Sequence, residues 1–168
     1  MNSTILVLVY PEERVADEVM DTVKHLQSMG LIEIEDACVV IKTAEGQIKL
    51  HQSHNLPLLA AAGGAILGSL VGLLFAAPYV GAAVGATAGI MGGTLADIGV
   101  DDDFMESVGK EMKPKSSALF LLLHHITIDK AIPELAKHGG KLLHTSLSRA
   151  QEERVKKMFQ SGALPQNP

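Results

Sequence analysis

The first fifty residues alternate apolar runs with an amphipathic stretch. A continuous apolar run over residues 5–10 is typical of a strand buried on both faces. Residues 11–29 predict a helix with a proline in its first turn, an apolar stripe and a glycine stop at Gly30. Residues 35–43 predict a second strand, and a turn then leads to a third strand over 47–53. This order is strand, helix, strand, strand.

The last fifty residues repeat part of that order. Residues 117–126 form another doubly apolar strand pattern, and 129–138 predict a helix that leaves through two glycines. Residues 141–146 predict a final strand. Ser148, with Gln151 three positions later, matches a capping box and opens a terminal helix. The two ends of the chain therefore carry the same strand–helix–strand arrangement.

Two such units separated by an insertion predict an α+β fold, a ferredoxin-like sandwich (βαβ twice) with an inserted apolar glycine-zipper α-helical hairpin. The split ferredoxin-like domain covers 1–54 and 115–148. The hairpin insertion covers 55–98, and 99–114 forms an acidic amphipathic connector helix. Residues 149–168 are the C-terminal helix and tail.

The insertion has the most distinctive pattern of the chain. Its 42 residues from Asn55 to Ala96 include no Asp, Glu, Lys or Arg. Glycine recurs at every fourth position in two runs, which places it on one face of each predicted helix and allows another helix to approach closely. The helix-packing residues predicted in this way are Gly64, Gly68, Gly72, Gly81, Gly85, Gly89 and Gly93.

Length and hydropathy favour a membrane location for this hairpin. The first arm, 56–77, has 22 residues, about 33 Å of helix at ~1.5 Å per residue, against ~30 Å for a bilayer core. The second arm, 79–96, is less apolar and gains from packing on the first. Two other interpretations stay open: a hairpin buried in the core of a soluble oligomer, and a flexible linker. We expect homo-oligomers whether the hairpin lies in the membrane or is buried in a soluble assembly.

Charges around the insertion indicate its orientation. Lys49 precedes it, and Lys110, Lys113 and Lys115 follow it within about 20 residues, the range over which orientation is read. No signal peptide is visible at the N-terminus. We therefore expect a membrane-associated protein of a bacterial inner membrane with both termini cytoplasmic. The alternative is a cytoplasmic location.

Composition argues against several classes of function. The formal net charge is −5 and aromatic residues make up 4% of the chain, so a nucleic-acid partner is not expected. The single cysteine, Cys38, cannot form an internal disulfide and lies in an apolar run, where a buried, inert thiol is expected.

The sequence gives little evidence for a metal site or a catalytic site. His51 and His54 flank the insertion, and His124 and His125 end a strand, where neighbours point to opposite faces. No spacing typical of zinc, calcium or phosphate sites is present, and the acidic triplet 101–103 reads as a helix start. We expect no enzyme, no metal and no cofactor, and the sequence does not identify a small-molecule ligand.

Three features together resemble a known family: the strand-to-helix step at 6–11, the glycine hairpin at 58–95, and the acidic step Asp101-Asp102-Asp103-Phe104. In this order they are similar to an uncharacterised bacterial membrane-protein family of unknown function (DUF1269-like) with a glycine-zipper helical hairpin. The resemblance implies membrane association and supplies no catalytic residues.

Two functions follow as hypotheses. The first is a non-enzymatic, homo-oligomeric membrane-associated protein with a cytoplasmic head and its transmembrane or bilayer-bound hairpin. The alternative is a soluble oligomeric regulatory or ligand-binding module with the glycine hairpin buried in the assembly core. Its partners would be copies of itself and, in the first case, the lipid bilayer.

Overall fold

The fold is given by a computed structural model that describes residues 3–52, 107–108 and 110–162. These residues form a mixed α+β arrangement of five strands and three helices. The strands are β1 (Thr4–Tyr10), β2 (Ile32–Lys42), β3 (Ile48–Gln52), β4 (Ser116–Ile126) and β5 (Lys141–Thr145). The helices are α1 (Val15–Ser28), α2 (Ile128–Ala136) and α3 (Arg149–Gly162).

The strands form one antiparallel sheet in the order β3-β2-β4-β1-β5. At its centre β4 pairs with β1 on one side and with β2 on the other, so that Phe120 lies opposite both Val7 and Cys38. The two strand–helix–strand units, β1-α1-β2 and β4-α2-β5, therefore interleave within the sheet. The strands and helices predicted within 3–52 and 116–162 are confirmed, with ends that differ by a few residues, whereas the hairpin 55–98 and most of the connector helix 99–114 lie outside the described residues.

One face of the sheet carries all three helices and is called the helix face here. Leu6, Leu8, Leu119 and Leu121 of its strands are fully buried. They share a core with apolar residues of each helix, for example Val19, Ile132 and Phe159. Thr22 and His138 (Oγ1 to Nε2, 2.8 Å) link α1 to the end of α2. Asp129 and Arg154 form an ion pair that links α2 to α3.

The start of α1 corrects the sequence prediction. The helix begins at Val15 rather than at Pro11, and residues 11–14 form bends and turns. The reason is a tertiary contact: the Ser117 hydroxyl of β4 accepts a hydrogen bond from the Ala16 N–H (3.2 Å) and donates one to the Glu12 carbonyl (2.5 Å). A side chain from another strand therefore caps the helix, as a local N-cap residue would do.

The other helix ends follow local rules. Gly30 stops α1 with a φ of 71°, and Leu31 N–H donates to the Leu26 carbonyl at 3.0 Å. The predicted capping box of α3 is confirmed: Gln151 N–H donates to Ser148 Oγ (3.4 Å), and Ser148 N–H donates to Gln151 Oε1 (3.3 Å). These ends were predictable because all their partners lie within a few residues.

Candidate functional site

The second face of the sheet is as deeply buried as the helix face. We call it the connector face, and its side chains alternate along the strands with those that contact the helices. Each is at most 8% exposed. They are Ile5, Val7, Val9, Cys38, Val40, Ala118, Phe120 and Leu122. A sheet of this kind needs cover on both sides.

The chain that returns from the insertion crosses this face. Residues 107, 108, 110 and 111 are helical, and the Val108 and Met112 side chains are at most 1% exposed. Lys42 lies two residues after Val40 in β2 and so shares the connector face with it. Its Nζ donates to the Met112 carbonyl at 3.0 Å. We call residues 107–112 the connector segment.

A second lysine contacts the connector segment from β5, at the edge of the sheet. Lys141 opens β5 and lies opposite Val9, a connector-face residue. Its Nζ is 2.9 Å from Glu111 Oε1. The side chains of Lys141 and Glu111 are 63% and 40% exposed, so this pair stabilises the fold only weakly. Lys42 and Lys141 thus bind consecutive residues of the same segment from β2 and β5.

A cleft of about 470 Å³ opens where the connector segment meets the end of the sheet. Its volume lies within the range of small-ligand sites. Apolar residues of β1 and its exit contribute part of the lining, and charged and polar residues of the connector and β5 contribute the rest. The lining residues are Val9, Tyr10, Pro11, Glu111, Lys113, Pro114, Ser116, Gly140 and Lys141.

Tyr10 and Gly140 pack closely at this cleft. Gly140 has a φ of 85°, and a Cβ built on it would lie 2.3 Å from Tyr10 Cε1. Only glycine fits both the backbone conformation and the space. The Tyr10 side chain is fully buried, and its hydroxyl has no hydrogen-bond partner among the described residues. Burial raises the pKa of Tyr10 well above its ordinary value, so the phenol stays neutral.

The loop that joins the connector segment to β4 has an unusual backbone. Lys115 has a φ of 67°, the left-handed region that non-glycine residues rarely adopt. Its N–H donates to the Lys42 carbonyl at 2.8 Å, and Ser116 Oγ donates to the Lys113 carbonyl at 2.5 Å. These bonds hold the strained residue beside the cleft.

Cys38 lies on the connector face and is 1% exposed. Burial, with a smaller contribution from the negative charge of Asp36, raises the pKa of the Cys38 thiol to about 12. Its Sγ lies 3.8 Å from the Val39 carbonyl oxygen. The structure confirms that Cys38 is buried, and a protonated thiol shielded from solvent is expected to be unreactive at neutral pH.

The histidines that end β4 have separate partners. His124 Nδ1 lies 3.8 Å from Glu35 Oε2, and His125 Nε2 lies 3.4 Å from Thr127 Oγ1. Across the described part of the chain, no three His, Cys, Asp or Glu side chains are grouped so as to hold a metal ion. His51 lies in β3, whereas His54 and the acidic triplet 101–103 fall outside the described residues.

The predicted helix-packing glycines, from Gly64 to Gly93, lie outside the described residues, as does the whole hairpin 55–98. The structure therefore leaves that prediction as it stands. Within 3–52, 107–108 and 110–162, no helix combines the length and apolar character needed to cross a membrane.

Comparison with known families gives one match. Residues 61–160 match the family described as protein of unknown function (DUF1269), which is more than half of the chain. The chain belongs to this family. No curated protein and no solved structure matches it.

The family match covers the connector side of the cleft but not its β1 side. Glu111, Lys113 and Lys141 lie within 61–160, whereas Val9 and Tyr10 precede it. In the sequence, Lys113 stands out only as a charge that indicates the orientation of the insertion, and no pattern singles out Lys42 or Lys141. No local signal could have paired them with the connector segment, since Lys42 is 70 positions from Met112.

Proposed function

We propose that this chain is a non-enzymatic, homo-oligomeric membrane-associated protein. A cytoplasmic α+β head carries a glycine-zipper helical hairpin that lies in or against the bilayer. The observation that carries the proposal is the uncharged stretch of 42 residues with glycine at every fourth position. No described feature of the head offers an equally distinctive basis for function.

We further propose that the head is a ferredoxin-like sandwich. What supports this is the chain order β1-α1-β2, then β4-α2-β5, together with the spatial order β2-β4-β1-β5. In this interpretation β3 is an extra edge strand at the start of the insertion.

The attachment of the insertion to the head supports a hairpin. The chain leaves through β3, whose Gln52 lies opposite Cys38 of β2. It returns through the connector segment, which Lys42 and Lys141 hold against the same sheet. A segment with both ends on one small domain requires a chain reversal, and two arms of 22 and 18 residues suit a bilayer of ~30 Å.

The positive charges of the connector support a cytoplasmic head at a bacterial inner membrane. Lys110, Lys113 and Lys115 follow Ala96 within 14 to 19 residues, the range in which lysines favour the cytoplasmic side. Both termini of the chain would then be cytoplasmic. The turn between the arms, residues 76–79, carries no charge that would oppose its translocation.

Alkaline carbonate washing of membranes tests the proposal. Retention in the pellet until detergent is added is the expected result, because the two arms would lie in hydrocarbon. Release into the supernatant would instead favour the alternative, a soluble oligomeric regulatory or ligand-binding module with the hairpin buried in its core. The cleft of about 470 Å³ is the observation that supports this alternative.

A pair of glycine substitutions tests the proposed close packing of helices through the glycine repeat. Gly68→Leu with Gly85→Leu places two bulky side chains in the predicted grooves, so the oligomer should dissociate in sedimentation experiments in detergent. Ala65→Leu with Ala82→Leu is the matched control, since it adds the same volume to the same arms outside the glycine repeat. Equal sedimentation of the two double variants would show that the glycine grooves are not used.

A further inference from the structure

The cleft beside the connector segment has a local excess of positive charge. Lys113 and Lys141 line it, and Lys115 lies in sequence between the lining residues Pro114 and Ser116. Glu111 is the one acidic residue among the described residues that line it. This excess occurs in a chain whose formal net charge is −5. We call these three lysines and the cleft the basic cleft.

Glu111, the acidic residue among the described lining of the basic cleft, is a weak ion-pair partner of Lys141. Glu111 Oε1 and Lys141 Nζ are 2.9 Å apart, but the Lys141 side chain is 63% exposed and that of Glu111 is 40% exposed. Exposed ion pairs of this kind contribute little to stability, because water and salt screen them. A ligand with a phosphate group can therefore replace Glu111 as the partner of Lys141 at little cost.

The backbone of Lys115 points to a role for its side chain. A non-glycine residue at a φ of 67° is strained, and glycine would adopt this conformation without strain. Strained residues of this kind cluster at ligand-binding sites. The Lys42 carbonyl holds the backbone in place through the Lys115 N–H (2.8 Å). A lysine at such a position is explained if its charge is used in binding.

We propose that the basic cleft binds the phosphate group of an anionic lipid. This inference rests on the proposed membrane association, which places residues 110–115 next to the bilayer surface. Lysine clusters directly cytoplasmic of a membrane segment bind anionic headgroups. Here tertiary structure adds Lys141, from a distant strand, to the lysines of the connector and supplies a cleft to receive the headgroup.

Binding of a short-chain lipid to the full chain in nonionic detergent tests the proposal. Dioctanoyl phosphatidylglycerol should bind at least tenfold more tightly than dioctanoyl phosphatidylcholine, as measured by calorimetry at low salt. Lys113→Gln with Lys141→Gln should weaken binding of the anionic lipid about 30-fold, because each lysine near a lipid surface contributes about 1 kcal/mol.

Two further variants separate charge from folding. Lys24→Gln with Lys157→Gln removes two charges from α1 and α3 and should leave lipid affinity unchanged. Lys115→Gly should bind the anionic lipid more weakly while its melting temperature stays equal or rises, since glycine relieves the strained φ. A merely structural role for Lys115 would not separate affinity from stability in this way.

The outcomes are distinct. Equal affinity for the two lipids, or equal loss in the cleft and control variants, would overturn the proposal. Inorganic phosphate that binds as tightly as the anionic lipid would assign the cleft to free phosphate and would also overturn it. Carbonate washing addresses membrane insertion separately, so failure of lipid binding with a carbonate-resistant protein would leave the proposed membrane role intact.

Discussion

The two faces of the sheet are buried to the same degree but are closed by different parts of the chain. On the helix face, Leu121 and Leu119 share one core with apolar residues of all three helices. On the connector face, Phe120 and Val7 are equally buried, and the described chain that crosses this face is the connector segment. The helix face is thus closed by the helices of the head itself, whereas the connector face links the head to the insertion.

The two faces therefore differ in how they are connected to the rest of the protein. The helix face has helix caps, an ion pair between α2 and α3, and an apolar core shared by all three helices. The connector segment is fixed by two lysines, Lys42 and Lys141, at main-chain and side-chain oxygens.

The largest expected effect concerns the reactivity of thiols on the two faces. Because the pKa of Cys38 rises from 9.0 to about 12, its thiolate fraction at pH 8 falls about a thousandfold relative to the unfolded chain. Labelling by a thiol reagent at pH 8 should slow by about this factor in the native protein. Rapid labelling of Cys38 would show that the connector face opens to water.

A matched variant moves the same thiol to the helix face. Cys38→Ala with Val39→Cys places it at a position that is 2% exposed, and comparable protection is expected.

The raised pKa of Cys38 also predicts a pH effect on stability. Its contribution is complete below about pH 9 and is lost as pH rises toward 12, because the unfolded thiol ionises first. Cys38→Ala should remove this part of the alkaline destabilisation.

The second effect concerns stability and the contact between Gly140 and Tyr10 at the basic cleft. Gly140→Ala should lower the free energy of unfolding by about 2–5 kcal/mol, the sum of a strained φ and overpacking against Tyr10. Gly139→Ala is the control: its φ is also positive, at 74°, but nothing lies within 4 Å of the added Cβ. Urea denaturation should give about 1–2 kcal/mol for that variant. Equal losses would mean that the Tyr10 contact is not tight.

The third effect tests how the helix face is closed. Ser117→Ala removes both partners that the Ser117 hydroxyl supplies to the start of α1 and should cost about 2 kcal/mol. Ser148→Ala removes a local, exposed cap of α3 and should cost about 1 kcal/mol. Thermal unfolding of both variants gives the comparison. A Ser117 variant as stable as the wild type would contradict the tertiary cap.

The smallest effect concerns the connector contact of Lys42. Lys42→Gln loses a charged hydrogen bond to the Met112 carbonyl, with an expected cost of about 1 kcal/mol. Hydrogen exchange should speed up at the Met112 amide, which donates to the Val108 carbonyl at 3.1 Å. Lys24→Gln, on exposed α1, should change neither quantity. Unchanged exchange in the Lys42 variant would show that this lysine does not fix the connector segment.

Much of the head was predictable because its signals are local. Residues 5–10, and 118–123 within the predicted strand 117–126, read as doubly buried because no charged or strongly polar side chain interrupts these apolar runs, and both faces are indeed covered there. Gly30 and the capping box at Ser148 marked helix ends correctly, since their hydrogen-bond partners lie within four residues. The start of α1 was placed too early, because its cap is Ser117, about 100 positions away.

The candidate site was far less predictable. Lys113 and Lys115 were visible only as charges after an apolar segment, and nothing near them in sequence indicated Lys141. The cleft depends on β1, β5 and the connector meeting at one end of the sheet. Strand order decides this meeting, and strand order depends on pairing energies between distant residues. The predicted hairpin and its glycines remain predictions from sequence.

The sequence alone determined the two strand–helix–strand units, their local ends and the uncharged glycine repeat, because each depends on residues close together along the chain. Tertiary structure alone decided that Ser117 caps α1, that Gly140 packs on Tyr10, and that Lys42 and Lys141 bind the connector segment. These contacts join residues that only the paired sheet brings within a few ångströms, and no short-range pattern encodes them.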